Sequence, residues 1–163
     1  MSKEIAYVSC DPGQKGSFCL LVPATKQVAF KSTTEKPMII LQWLHQIQVE
    51  YELRVILIED VHAIFGTSAK SNFVFGYNTG VVNAISMASG ASVDRVGPKV
   101  WQRTVGVKTK GKAIKKEVGD ICDRLYPHVT IRGKRGGLLD GLSDSLLIAH
   151  YAYLKYNQIE TNK

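Results

Sequence analysis

The chain has 163 residues, 45% of them apolar, which suits one domain around one sizeable core and gives no reason to seek a linker or second domain. No apolar run approaches the roughly 20 residues that span a bilayer, and residues 1–10 lack a signal-peptide pattern, so the expectation is a soluble cytoplasmic protein with no membrane partner. The formal charge is +7 with a pI near 9.3, and Cys10, Cys19 and Cys122 are odd in number and scattered, which predicts buried free thiols rather than disulfides.

In chain order, residues 5–10 form an apolar run that reads as a buried strand, stopped by Asp11-Pro12-Gly13, and a second run over 16–23 follows closely enough to close a hairpin. Residues 27–33 alternate apolar and polar side chains, as a third antiparallel strand would. Pro37 then opens a helix whose apolar positions Ile40, Leu41, Leu44, Ile47 and Tyr51 keep helical spacing. Residues 54–60 contain Val-Ile-Leu-Ile, the pattern of a strand buried on both faces. Residues 71–89 lack proline and set Phe75, Val82, Ile85 and Met87 among Gly76, Gly80, Ala84 and Ala88. A helix packed closely against a neighbour and capped by Gly90 is expected there. A short strand at 92–96, helices at 99–105 and 112–125, and a last helix over 140–156 complete the pass, with fraying expected after Asn157. Three strands, helix, strand, helix, strand and then helices predict an α/β domain over residues 1–163: a mixed five-stranded sheet flanked by helices, with a right-handed parallel crossover.

Twelve of the 21 Lys and Arg residues lie between residues 95 and 135, where the only acids are Glu117, Asp120 and Asp123. A one-sided basic surface is the footprint of a phosphate-backbone partner, but charge alone weighs evenly for a plain solvated face and leaves RNA, DNA and an anionic membrane open.

The acids are placed differently. Asp11 follows the first strand directly and Glu59 ends the fourth, so if these strands are neighbours both carboxylates reach one edge of the sheet. Asp140 and Asp144, four residues apart, share one face of the last helix with Cβ atoms about 5–6 Å apart. Their neighbours Leu138, Leu139, Leu142, Leu146, Leu147 and Ile148 are apolar. Two like charges at that spacing destabilise a half-buried helix unless neutralised, and a cation is the simplest neutraliser. Taken singly, Asp140 reads as a helix cap, Asp144 as a surface residue, Asp11 as a turn residue and Glu59 as a strand-end solubiliser. The four in this order read as a metal site. Carboxylate oxygens suit Mg²⁺, and two such ions about 3.5–4 Å apart can generate a hydroxide and stabilise a leaving oxygen, with Asp11 as the natural bridge. Zinc is disfavoured, because neither the cysteines nor His45, His62, His128 and His150 show ligand spacing; the histidines are expected at the surface or in the core.

The strand leading into Asp11-Pro12-Gly13, the strand Ile56-Leu57-Ile58-Glu59-Asp60-Val61 and the helix Asp140-Gly-Leu-Ser-Asp144-Ser-Leu-Leu-Ile-Ala149 together resemble the RuvC family of Holliday junction resolvases, which has the RNase H-like fold. The likeness covers nearly the whole chain and includes Gly97-Pro98-Lys99-Val100 and Thr104-Val105-Gly106 followed by Lys112, where the family carries basic residues that contact DNA. It implies an endodeoxyribonuclease that uses Mg²⁺, with Mn²⁺ able to substitute, and a homodimer that binds four-way or otherwise branched DNA and cuts two opposed strands. Asp11, Glu59, Asp140 and Asp144 match the catalytic metal ligands, and Lys112 matches a basic residue beside the scissile phosphate. With the charge pattern, the expected DNA contacts are Lys99, Arg103, Lys108, Lys110, Lys112, Lys115, Lys116, Arg132, Lys134 and Arg135. The helix around residues 76–88, flanked by Phe73, Phe75 and Tyr77, is the candidate dimer interface, with ordinary core packing as the equal alternative for it.

Two features depart from the bacterial pattern. Those members space the last two acids by three residues; the spacing of four here resembles the mitochondrial branch and keeps one helical face. His62 stands where they place an aromatic residue near the junction centre, a role Phe65 or Phe73 could take instead. The small, basic form is reminiscent of bacteriophage enzymes, which would place it in a bacterial or phage-infected cell. Two other readings stay open. An RNA-processing nuclease of the same fold would ordinarily carry a Lys-Arg pair after Asp-x-Gly, where this chain has Gln14-Lys15-Gly16. A noncatalytic junction-binding protein would keep four carboxylates beside bound phosphate at an electrostatic cost.

Overall fold

Pro12 and Gly13 turn the chain back on itself, so the strands Ile5–Asp11 (β1), Ser17–Val22 (β2) and Gln27–Ser32 (β3) pair in an antiparallel meander. The helix Pro37–Glu50 (α1) then crosses over and returns the chain as Glu52–Glu59 (β4), parallel to β1 on its free side. A second crossover through Ala69–Ala88 (α2) lays Val93–Val96 (β5) parallel to β4, giving the order β3-β2-β1-β4-β5. Pro98–Val105 (α3), Ala113–Leu125 (α4) and Asp140–Thr161 (α5) complete the chain. The structure, a computed structural model, describes residues 2–62 and 66–161.

The period of two along β1 and β4 sorts their side chains into two cores. Tyr7, Val55 and Leu57 meet Trp101, Val118, Ile121, Leu146 and Leu147 from α3, α4 and α5. Ala6, Val8, Ile56 and Ile58 meet Ile40, Leu44, Ile47, Val82 and Ile85 from α1 and α2. The expected mixed five-stranded α/β sheet is therefore present, with β4 buried on both faces. The three cysteines are buried and free, as expected, and no described helix is long and apolar enough to cross a membrane.

Three expectations change in detail. α2 begins at Ala69, two residues earlier than expected, because the Ser68 side chain accepts the Ser71 backbone N–H at 3.1 Å and caps the helix. Its small residues do not pack against a neighbour: a Cβ at Gly76 or Gly80 would meet open space, and the helix is buried through Val82, Ile85 and Ser86 instead. α5 continues past Asn157 to Thr161.

The first turns of α5 are fixed against the start of the sheet. Ser9 on β1 donates its hydroxyl to the Ser145 carbonyl oxygen, and a Cβ at Gly141 would lie 2.0 Å from the Lys15 carbonyl oxygen. Backbone therefore touches backbone where the first turn of α5 crosses the β1–β2 turn, an approach that only glycine permits.

Candidate active site

β1 and β4 are adjacent and parallel, so Asp11 and Glu59, at their carboxyl ends, emerge at the same edge of the sheet. That edge is where open α/β sheets bind ligands. The Gly13 backbone N–H donates to Asp11 Oδ1 at 3.0 Å. The Trp101 indole Nε1–H donates to Glu59 Oε1 at 2.8 Å. α5, clamped at Gly141, supplies Asp140 and Asp144 from the layer above. Lys115 on α4 closes the group with an ion pair to Asp140 Oδ2.

These acids feel one another. Burial raises the Asp144 carboxyl to about 8, and repulsion from Asp11, Glu59 and Asp140 adds to the shift, against a smaller pull from Lys115. Burial likewise raises Glu59 to about 7, opposed by the Trp101 hydrogen bond and assisted by Asp11. Asp11 is raised for the same first reason, with the Gly13 N–H opposing and Asp140 adding. Lys115 is held above its ordinary value chiefly by its hydrogen bond to Asp140, then by the charges of Asp140, Asp144 and Asp11. Four carboxylates brought from three elements thus share one field with the Lys115 ammonium.

Among the described residues, no three His, Cys, Asp or Glu side chains close on a point as a ready-made cage. The donor set is nonetheless all carboxylate oxygen, partly buried and short of positive charge, and so fits a hard cation that takes a few carboxylates and completes its shell with water and phosphate. The histidines are not gathered there. His45, His62 and His128 are exposed, and His150 pairs with the Tyr126 hydroxyl at 2.7 Å.

The basic residues divide into two groups. Lys115, Lys116 and Arg132 are engaged with Asp140, Asp120 and Asp123. Lys99, Arg103, Lys108, Lys110, Lys112, Lys134 and Arg135 are exposed and have no ion pair among the described residues. Lys112 precedes α4 and does not touch the carboxylates; Lys115, almost one helical turn later, does. The loop carrying Lys108 and Lys110 is fixed by Glu117, whose carboxylate accepts the Lys108 N–H, the Thr109 N–H and the Thr109 hydroxyl. Of the aromatic candidates, Phe73 is 75% exposed, His62 lies 3.8 Å from Asp60, and Phe65 falls outside the described residues. Trp101, Lys115 and Glu117 are contributors that sequence spacing did not single out for these roles.

No family model and no curated protein matches the chain. Solved structures do. RuvC from Thermus thermophilus in complex with a Holliday junction substrate is 16% identical with a TM-score of 0.57, over 94% of this chain and 96% of that one. A second Thermus thermophilus RuvC structure is 16% identical with a TM-score of 0.55, over 93% and 96%. The yeast mitochondrial Holliday junction resolvase is 14% identical with a TM-score of 0.52, over 95% and 84%. At these identities the likeness establishes the fold: the chain has the RNase H-like architecture of RuvC.

Proposed function

We propose that this chain is a Mg²⁺-dependent endonuclease of branched DNA, cutting four-way junctions in pairs of strands as a two-fold dimer. The observation that carries the reading is the convergence of Asp11, Glu59, Asp140 and Asp144 at the carboxyl edge of two parallel strands. The same four residues are the ones whose pattern resembles the family's metal ligands, and the proteins of like fold are Holliday junction resolvases. Asp11, Glu59, Asp140 and Asp144 would hold the ions between them. When bound, the two ions would supply a hydroxide nucleophile and stabilise the departing oxygen. Mn²⁺, with the same preference for oxygen, would substitute.

The protein's own part is to place the strand and balance charge. Lys99 and Arg103 on α3, Lys108 and Lys110 on the Glu117-anchored loop, and Lys134 and Arg135 before α5 offer cations to the phosphates on either side of the acids. Lys116 and Arg132 can join them by leaving their acidic partners. Lys115, which pairs with Asp140, would be placed to face the negative charge that develops on the phosphoryl oxygens. Lys112, which the resemblance favours for that task, stands at the mouth of the same helix. Phe73, the exposed aromatic near the start of α2, is the candidate for contact with the junction centre, with His62, just after β4, as the alternative. Two symmetry-related cuts need two sites about a two-fold axis, which the open face of α2 can provide.

The test is incubation of the protein with four-way junction, fork, flap and linear duplex DNA, with and without Mg²⁺. Metal-dependent paired cutting of the four-way junction above the linear duplex is the expected result. Junction binding without cutting under any metal would defeat the nuclease reading in favour of an architectural one, and preferential cutting of structured RNA would defeat the choice of substrate.

A further inference from the structure

Trp101 is 1% exposed and belongs to the core beneath α5. A buried indole requires an acceptor for its one N–H. A backbone carbonyl would serve without bringing a charge into the core, yet the acceptor is Glu59 Oε1 at 2.8 Å. Among the described residues no other hydrogen bond reaches that carboxylate. The local chain explains how the two meet. Glu59 pairs with Val96 across β4 and β5, Gly97 and Pro98 start α3 at once, and Trp101 lies in the first turn of that helix. The indole thus returns to the end of the strand that carries Glu59.

Resting on the metal-dependent nuclease function, we propose that Trp101 is the positioning residue for Glu59. Its N–H holds one carboxylate oxygen, so that the other is presented to the divalent cation. Groups that orient a ligand in this way typically change metal affinity about 10–100-fold when removed, without touching the ion.

Trp101→Phe keeps an aromatic ring in the core and removes the donor, together with part of the indole's volume. Binding of Mn²⁺ to the protein, read from the electron paramagnetic resonance signal of the free ion, should weaken about tenfold or more, and the Mg²⁺ concentration for half-maximal cutting should rise by a similar factor. Junction affinity should stay within about twofold, and high Mn²⁺ should restore the cutting rate, which a merely structural defect would not allow. The unaltered protein gives a second readout. It has 2 tryptophans, so its indole N–H groups give two resonances, assigned by comparison with Trp43→Phe. Added Mg²⁺ should move the Trp101 resonance and leave that of Trp43, and Glu59→Gln should abolish the movement. If Trp101→Phe fails to fold, this resonance decides alone, and its failure to move overturns the proposal. If Glu59→Gln and Asp144→Asn lose Mn²⁺ while Trp101→Phe binds it normally, the positioning role is wrong and the nuclease reading stands. If all three bind Mn²⁺ as the unaltered protein does, the metal site itself is wrong and this proposal falls with it.

Discussion

Asp144 is the acid whose charge is least tolerated in the metal-free protein, with its carboxyl raised to about 8 by burial and by three neighbouring acids. A divalent cation reverses that balance, which is what a ligand position requires. Asp144→Asn keeps the side-chain shape and removes the charge. It should lower single-turnover cutting by at least about a hundredfold, equivalent to about 2.7 kcal/mol, while leaving junction binding equal or tighter because phosphate repulsion falls. Cutting at the normal rate would remove Asp144 from the site. The lysines allow a finer comparison. Lys115 touches Asp140 and Lys112 does not, so Lys115→Ala should reduce the cutting rate more than the affinity and more than Lys112→Ala does, as expected of a cation that acts in the transition state. The reverse order would favour the position indicated by family resemblance over the one indicated by geometry.

α2 and the loop before α4 each put exposed residues in an ordered row. Along α2 the outward residues Gly76, Tyr77, Gly80, Ala84 and Met87 carry no charge, and Tyr77 and Met87 are 65% and 70% exposed. A self-complementary uncharged stripe with glycines at its centre suits close approach of a second copy about a two-fold axis. Gly80→Arg should convert a dimer to a monomer by sedimentation. It should not destabilise the protomer, because Arg favours an exposed helix over Gly by up to about 1 kcal/mol. A protein already monomeric at working concentration, binding its junction one to one, would count against the interface. The Lys108–Lys110 loop is held open by Glu117 rather than by neutralising its lysines, which leaves both free for phosphate. Replacing both by Ala should weaken binding to all branched DNAs alike and lower the salt slope by up to about two units, roughly one per lost contact. An unchanged slope would remove the loop from the DNA path.

Across the whole molecule, local pattern made the strands, the crossovers and the four acids legible. Asp11 and Glu59 end apolar runs, and Asp140 and Asp144 share a helical period, so each could be placed on an element before its neighbours were known. What stayed hidden depends on phase and on distance in the chain. Periodicity could not say that Lys115 rather than Lys112 turns inward, that Trp101 bonds an acid 42 residues away, or that the small residues of α2 face outward. No local pattern marks Gly141 as the point where α5 rests on the backbone of Lys15. The gathered acids also predict how stability responds to pH. An acid whose folded pKa exceeds its unfolded value near 4 binds its proton more tightly in the native state. Asp144 and Glu59, raised to about 8 and about 7, therefore contribute fully below about pH 4, and the contribution is lost as pH rises toward those values. His150 works in the opposite direction: burial lowers its pKa, so stability is gained as pH rises toward about 6.5. The net curve mixes the two, but the difference between the unaltered protein and Asp144→Asn isolates the acid. In chelator, the variant should gain on the unaltered protein between about pH 5 and about pH 8 by at least about 1 kcal/mol, some 2–4 °C in Tm for a chain of this size. Saturating Mg²⁺ should close that gap, because the ion stabilises the ionised form it binds. Parallel melting curves at both pH values would show that Asp144 is not ionised against its neighbours, and the shared field of the four acids would fall with it.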